Sequence, residues 1–272
     1  NALIGLLKAV MEGGHVAPSV QKESPDYVTA LSQLLERLAW TELEAATGSS
    51  PDTFKQMAAA IAQSHRFIVL TGQDLLRSVG GYGACLQLLD LLLLTGKSTE
   101  PGCGFAPLAE ENNDQGAVEL GAVAELLPDA LDLASSDARA KIGRAWNTDI
   151  PSTPGATLTD MIERARTGHL KAMFVMGENP IGTLPSHLGT REACQSLELL
   201  ICQELFLTET AALAHVVFPA AAPLEKAGTW TNEEGHVQAI RPAVEPAGDS
   251  RPDWEILSAL SLLLGTPMEY ND

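Results

Sequence analysis

Apolar residues in the first part of the chain recur at helical spacing. They form two series on either side of the polar residues 22–25: Leu3, Leu6, Leu7 and Val10, then Leu31, Leu34, Leu35 and Leu38. This period predicts two helices joined by a loop over residues 3–46. Another helix is expected from Ser50-Pro51-Asp52 to Ser64, because proline suits the first turn of a helix.

The next segment changes from helical to β-rich sequence. Phe67 to Gln73 contains a short β-rich run with a glycine near its end, and the leucine-rich segment Leu86 to Leu94 follows after Gly80-Gly81. A strand, a glycine loop and a helix in this order predict one unit of a parallel α/β sheet, with the leucine-rich segment as a buried helix. Residues 95–115 are rich in glycine and proline, which predicts a loop at a domain boundary.

Helices and strands alternate in the second half of the chain. The predicted order is helix 157–167, strand 171–176, helix 190–196, strand 199–203, short helix 208–213 and strand 215–219. Short links in this αβαβαβ order predict a second parallel sheet. The pattern of residues 225–244 then predicts a β-hairpin around Glu234-Gly235, and that of residues 251–265 predicts an amphipathic helix. We therefore predict an α/β fold with two Rossmann-like parallel-sheet domains, flanking helices and a small β portion.

Charge and cysteine content exclude several classes of partner. A formal net charge of −18 and a pI near 4.6 argue against nucleic acid or an anionic membrane, because both need clustered Lys and Arg. The sequence has no apolar run near the roughly 20 residues of a membrane span, so we expect no direct membrane insertion. The cysteines lack CxxC spacing and the histidines are scattered, so we assign no metal site.

The sequence also assigns no catalytic residue. Neither Ser nor Cys is accompanied by a GxSxG elbow or a paired histidine. Glu110-Glu111 is a candidate general-base pair, but a charged loop beside Gly and Asn is typical of solvated surface.

The stretch VMGENPIGT, residues 175–183, follows the apolar run Ala172 to Val175 and predicts the end of a buried strand. In open parallel sheets, ligands bind outside the carboxyl ends of the strands, where loops present polar groups. Gln203-Glu204 ends the next predicted strand. We expect the two strand ends, near Asn179 and near Glu204, to face one cleft shaped for a purine nucleotide.

The residue types in these loops suit a nucleoside. A carboxylate such as Glu204 or Asp253 can accept the two N–H donors of a guanine edge, and Asn179, Gln203 and Thr183 can serve ribose or exocyclic groups. The alternative is that these residues only cap helices, since Thr208 and Asn179 are good cap types and no GxGxxG motif is present.

Several motifs resemble the molybdopterin-dinucleotide oxidoreductase superfamily, which includes the large subunits of formate dehydrogenases and the large peripheral subunit of NADH–quinone oxidoreductase. In chain order they are the LTG at 94–96, NNDQGAVELG, VMGENPIGT, ICQELFLTETAALAHVVFPAAAPLEKAGTWTNEEGHVQ, RPDWEIL and TPMEYND. The resemblance covers most of the chain.

The resemblance implies a domain organisation of the formate dehydrogenase and DMSO reductase type. It assigns residues 1–108 to the C-terminal part of one α/β domain, 109–222 to a second, dinucleotide-cofactor-binding-like α/β domain, and 223–272 to the hairpin region and closing helix. The chain has no initiating Met and begins at once with helical sequence, so we expect a piece of a longer protein. Iron–sulfur clusters are expected upstream of residue 1.

The same resemblance implies the positions that contact the guanine dinucleotide arm of the pterin cofactor in active members. These are Gly177, Asn179, Thr183, Gln203, Glu204 and Asp253. Two departures argue against a bound cofactor. Ala109-Glu110-Glu111 stands where active formate dehydrogenases typically carry Arg-Gly-Gln, and the phosphate-side loop, residues 96–102, has lost a glycine and gained a carboxylate.

These features favour a segment of the large peripheral subunit of NADH–quinone oxidoreductase, a scaffold with a degenerate cofactor site and no bound cofactor. We expect partner subunits of a respiratory or dehydrogenase complex, and a cytoplasmic location at the inner face of the membrane. The alternative is a catalytic domain of a formate dehydrogenase-like enzyme that binds molybdenum bis(guanine dinucleotide). A stand-alone nucleotide-binding module is a third possibility.

Overall fold

The computed structural model describes residues 1–268 and residue 270. Part of the TPMEYND motif therefore lies outside the described residues. The chain forms two compact units, Asn1–Glu111 and a second that begins at Asn112. Parallel sheets with flanking helices confirm the predicted α/β class. The predicted boundaries at 108 and 222 stay predictions.

The secondary structure consists of thirteen α-helices and nine β-strands within the described residues. The helices are α1 Ala2–Glu12, α2 Pro18–Glu23, α3 Pro25–Glu36, α4 Trp40–Thr47, α5 Pro51–Gln63, α6 Gln73–Arg77, α7 Gly81–Leu94, α8 Asp114–Glu119, α9 Ser136–Trp146, α10 Leu158–Arg166, α11 Pro180–Thr183, α12 Thr190–Ser196 and α13 Asp253–Leu263. The strands are β1 Ile68–Thr71, β2 Gly104–Pro107, β3 Leu126–Leu127, β4 Leu131–Asp132, β5 Ala172–Met176, β6 Leu199–Glu204, β7 Val216–Pro219, β8 Gly228–Thr231 and β9 Val237–Ile240.

The first unit has a helical core around α1. The apolar side of α1 packs against α3, α5 and α7. The prediction of two helices over residues 3–46 was wrong, because this range holds four. Pro18 and Pro25 each start a new helix, since proline lacks the N–H that a continuing helix would need.

The first unit also contains a strand that the sequence pattern did not predict. β2 pairs in parallel with β1, with Ile68 opposite Gly104. The prediction of a loop over residues 95–115 was wrong for Gly104–Pro107, because these residues form β2 although the segment is rich in glycine and proline. The leucine-rich helix α7 is only half-buried: Leu86 and Leu89 are 43% and 46% exposed. A helix with leucine on every face cannot bury all of them against one core.

The second unit is built on a parallel sheet with β6 between β5 and β7. Leu200 and Cys202 of β6 are buried on one face with residues of α10 and α12. The prediction that β5 is a buried strand was wrong for its other face, where Phe174 and Met176 are 39% and 48% exposed. The predicted helix 208–213 is only a single 3₁₀ turn, Ala211–Leu213.

Asn113 and Gly116, in the segment NNDQG, hold the hairpin β8–β9 in place. The Asn113 side-chain oxygen accepts the backbone N–H of Thr231, 118 residues away, at 2.8 Å. A Cβ atom on Gly116 would lie 2.3 Å from that oxygen and 3.2 Å from Thr231 Oγ1. Gly116 therefore leaves the space in which Asn113 reaches the hairpin.

We predict that Gly116→Ala lowers the free energy of unfolding by about 1–3 kcal/mol, because the new methyl group displaces Asn113 from Thr231. Gly83→Ala in α7 is the matched control, since nothing lies within 4 Å of its Cβ position. That helical substitution should be neutral or stabilising. Urea unfolding of both variants measures the difference, and equal stability would contradict the role given to Gly116.

Candidate functional site

The ends of β5 and β6 lie side by side. The backbone N–H of Gly177 donates to the carbonyl oxygen of Gln203 at 2.9 Å, one residue beyond the pair Met176–Gln203. Gly177 has φ +65°, a left-handed conformation that turns the chain away from the sheet. Because the strands are parallel, the loops after β5 and β6 leave from the same edge.

Asn179 joins these two loops through its side chain. Its amide nitrogen donates to Glu209 Oε2 at 2.7 Å, and its amide oxygen accepts the backbone N–H and the hydroxyl of Thr210 at 3.2 and 2.8 Å. Thr210 is fully buried. The hydroxyl of Thr183 donates to the Asn179 carbonyl oxygen at 3.1 Å. The polar groups of Asn179 and Thr183 are thus engaged within the protein, but the capping alternative was wrong for Asn179, because its side chain makes no cap hydrogen bond to α11.

Sequence reasoning missed the partners of Asn179, which are Glu209 and Thr210. The Thr-Glu-Thr run after β6 carried the signal, since such short polar residues in a loop bind neighbouring backbone. The pKa of the exposed Glu209 carboxyl lies below its ordinary value, because its own backbone N–H and the Asn179 amide both stabilise the charged form. The side chain of Asn179 therefore has a partner at its amide nitrogen, Glu209, and a partner at its amide oxygen, Thr210.

A second group joins Gln203, Asp253 and Lys226. Gln203 is fully buried, and its side-chain nitrogen donates to Asp253 Oδ1 at 2.7 Å. The Lys226 ammonium group donates to Asp253 Oδ2. Among the described residues, no donor reaches the buried Oε1 atom of Gln203. Sequence reasoning missed Lys226, which had no spacing relation to the other site residues.

Glu204 lies at the same edge, half-buried, and its Oε1 atom accepts the N–H of Leu205 at 2.7 Å. The partly exposed carboxylates of Glu204 and Asp253 keep lone pairs for further donors. Cys202, one residue before Gln203, is no nucleophile at neutral pH. Burial, then Cys194 and Glu204, raise the pKa of its thiol to about 11.

The other sequence candidates have structural partners. Glu110 forms an exposed ion pair with Arg77, which accounts for it without a catalytic role. The Lys97 ammonium group donates to the Ser64 carbonyl oxygen within the first unit. In the part of the chain described, no three His, Cys, Asp or Glu side chains cluster as a metal would need. None of the described helices is long and apolar enough to cross a bilayer.

A family model described as molybdopterin oxidoreductase matches residues 4–262. The chain belongs to the molybdopterin oxidoreductase family, which confirms the resemblance drawn from the motifs. It is 34% identical to the probable oxidoreductase YjgC of Bacillus subtilis over 98% of this chain. It is 39% identical to the F420-dependent formate dehydrogenase subunit alpha of Methanocaldococcus jannaschii over 70% of this chain.

The chain spans only part of these relatives, 27% of the Bacillus protein and 28% of the Methanocaldococcus subunit. Among solved structures, acetylene hydratase from Pelobacter acetylenicus is similar with a TM-score of 0.71 and 15% identity. That match covers 97% of this chain and 39% of the hydratase chain. At this identity the likeness shows the fold alone.

We predict that Asn179→Ala lowers the free energy of unfolding by about 1–3 kcal/mol, because it leaves the buried donors of Thr210 without an acceptor. Gly182→Ala should act in the same direction, since its Cβ would lie 2.3 Å from the Asn179 amide nitrogen. Gln195→Ala, on the exposed side of α12, is the control and should change stability little. Thermal unfolding of the three variants tests this, and a fully stable Asn179→Ala variant would show that the Asn179 side chain does not hold the two loops together.

Proposed function

We propose that the chain is part of a formate dehydrogenase-like molybdopterin oxidoreductase and that the edge after β5 and β6 binds the guanine nucleotide arm of its pterin cofactor. The observation that carries the proposal is the linked set Gly177, Gln203 and Asp253 at one sheet edge. Family membership supplies the cofactor class. The relatives named as formate dehydrogenases support this function better than the NADH–quinone scaffold expected from sequence.

The residues at this edge fit the purine end of such a cofactor. A guanine edge offers two adjacent N–H donors, and the half-exposed carboxylates of Glu204 and Asp253 are acceptors for them. Gly177 has nothing within 4 Å of its Cβ position, so a ligand can approach its backbone closely. Asn179, Thr183 and Gln203 support the site indirectly, because their hydrogen bonds fix the loops that carry these groups.

When bound, the cofactor supplies the molybdenum-centred redox chemistry. The residues of this chain bind and orient its nucleotide end, and the carboxylates exclude ligands that lack donors at that position. We further propose that partner subunits and iron–sulfur clusters complete the electron path, and that the protein works in the cytoplasm. A relative named as a subunit alpha supports the partner subunits.

Two observations favour the second candidate, a scaffold in NADH–quinone oxidoreductase with a degenerate cofactor site. Glu110, which occupies a position where active formate dehydrogenases carry the substrate-site run, engages Arg77 and so removes a free cation. Lys97 of the phosphate-side loop is likewise occupied by the Ser64 carbonyl oxygen. Metal and pterin analysis of the intact protein separates the two functions, since only the first requires stoichiometric molybdenum or tungsten.

We predict that the intact protein, produced without pterin cofactor, binds GDP saturably and that Glu204→Gln weakens this binding about tenfold by removing a charged acceptor. Glu198→Gln is the matched control, because Glu198 precedes the opposite end of β6 and forms an exposed pair with Lys171. Isothermal titration measures both. Absence of GDP binding in the wild-type protein would refute the proposed function.

A further inference from the structure

A cavity of about 260 Å³ lies between β7 and α13 of the second unit. Phe218 and Pro219 of β7 form one wall. The other wall is one side of α13, whose residues follow the helical spacing i, i+3, i+4 and i+7: Ile256, Ala259, Leu260 and Leu263. Both walls of the cavity are therefore apolar.

The apolar stripe of α13 runs from the interior of the unit to its surface. Ile256 is 8% exposed, whereas Leu263 is 85% exposed. An apolar group that enters the cavity removes part of the Leu263 surface from water, and the hydrophobic effect favours that step. A dry cavity of about 150 Å³ lined by apolar side chains binds benzene, so this cavity has room for a group as large as a leucine or phenylalanine side chain.

Two charged residues, Asp249 and Arg251, complete the lining. They lie in the segment that pairs with the end of β7. The N–H of Arg251 donates to the carbonyl oxygen of Pro219 at 3.1 Å, and its carbonyl oxygen accepts the N–H of Ala221 at 2.8 Å. The N–H of Ser250 donates to the carbonyl oxygen of Ala247 at 3.1 Å. The backbone that carries both charges is therefore held in place.

Asp249 and Arg251 have opposite charges, and both are exposed. Neither side chain forms an ion pair or a hydrogen bond with another residue in the part of the chain that the structure describes. The Arg251 guanidinium keeps its N–H donors, and the Asp249 carboxylate keeps its acceptors. The cavity therefore combines two apolar walls with a positive and a negative group.

We infer that this cavity binds a free α-amino acid with an apolar side chain of leucine or phenylalanine size. The ligand carboxylate accepts from the Arg251 guanidinium, which suits a carboxylate geometrically, and the ligand ammonium group donates to Asp249. The apolar side chain packs between Phe218 and the stripe of α13. The inference goes beyond the proposed function, since none of these residues belongs to the nucleotide site proposed at the edge after β5 and β6.

The ligand class follows from the need to match both charges. A ligand with one charged group leaves either Asp249 or Arg251 unmatched beside it, and a ligand without an apolar side chain leaves the walls in contact with water. Each of the three parts of an apolar amino acid therefore has a counterpart in the lining.

The test is equilibrium dialysis of the intact protein against labelled L-leucine, with unlabelled analogues as competitors. A ligand of this size should bind with a dissociation constant on the order of 1 mM. L-phenylalanine should compete about as well as L-leucine. Isocaproate, which lacks the amine, isoamylamine, which lacks the carboxylate, and glycine, which lacks the side chain, should each compete about tenfold more weakly or less.

Variants of the lining test the assignment of each group. Arg251→Gln and Asp249→Asn should each weaken leucine binding about tenfold, because one charged contact is lost. Ala259→Phe should abolish binding, because Ala259 is exposed on the helix and the larger side chain fills the cavity. Arg241→Gln is the matched control, since Arg241 is exposed and does not line the cavity, and it should leave the affinity unchanged.

The competition experiment needs no variant to fold, so it decides the inference by itself. A wild-type protein that does not bind leucine overturns the inference and leaves the proposed function untouched. Equal competition by isocaproate and isoamylamine would show that the two charges do not select the ligand, which also overturns it. Unchanged binding in a folded Ala259→Phe variant would place the leucine site elsewhere and contradict the cavity assignment.

Discussion

The side-chain amide of Asn179 is the contact on which the site edge depends. It has one donor group and one acceptor group, and the structure uses both to tie the loop after β5 to the loop after β6. Thr210 is buried, so the hydrogen bonds that it makes are not exchanged for water without cost. The two strand ends consequently keep one relative position, which any ligand that touches both would require.

The second unit also has a buried polar side chain in β6. Gln203 is a fully buried amide in the central strand, and it is tolerated because Asp253 takes one of its two polar ends. The other end has no donor among the residues described. A buried polar group without a hydrogen-bond partner destabilises the folded protein, and such groups occur at functional sites more often than elsewhere. The chain has a formal net charge of −18 and only 17 Lys and Arg residues. One of these, Lys226, pairs with the Asp253 carboxylate that binds Gln203.

Family motifs in this chain have two kinds of physical role. Asn113 and Gly116 in NNDQG hold the hairpin β8–β9, and Asn179 in VMGENPIGT holds two loops, so these positions act through packing and hydrogen bonds. Glu204 and Asp253 keep accessible acceptors, and they are the groups that we propose act toward a ligand. The motif order alone did not distinguish the two roles, since both kinds of residue are polar and lie after strands.

The sequence by itself determined the α/β class and, from residue 157 onward, the order and approximate bounds of most elements, whereas it did not predict α8, β3, β4 and α9. Helix α12 and strand β6 follow the predicted ranges closely, because local hydrophobic period and turn residues decide them. Motif resemblance also implied a set of candidate cofactor-binding positions, which are Gly177, Asn179, Thr183, Gln203, Glu204 and Asp253. Only the tertiary structure decided that Asn179 points to Glu209 and Thr210 and that Lys226 meets Asp253. The physical reason is that these contacts join residues that are 27 to 31 positions apart, where no local period carries information.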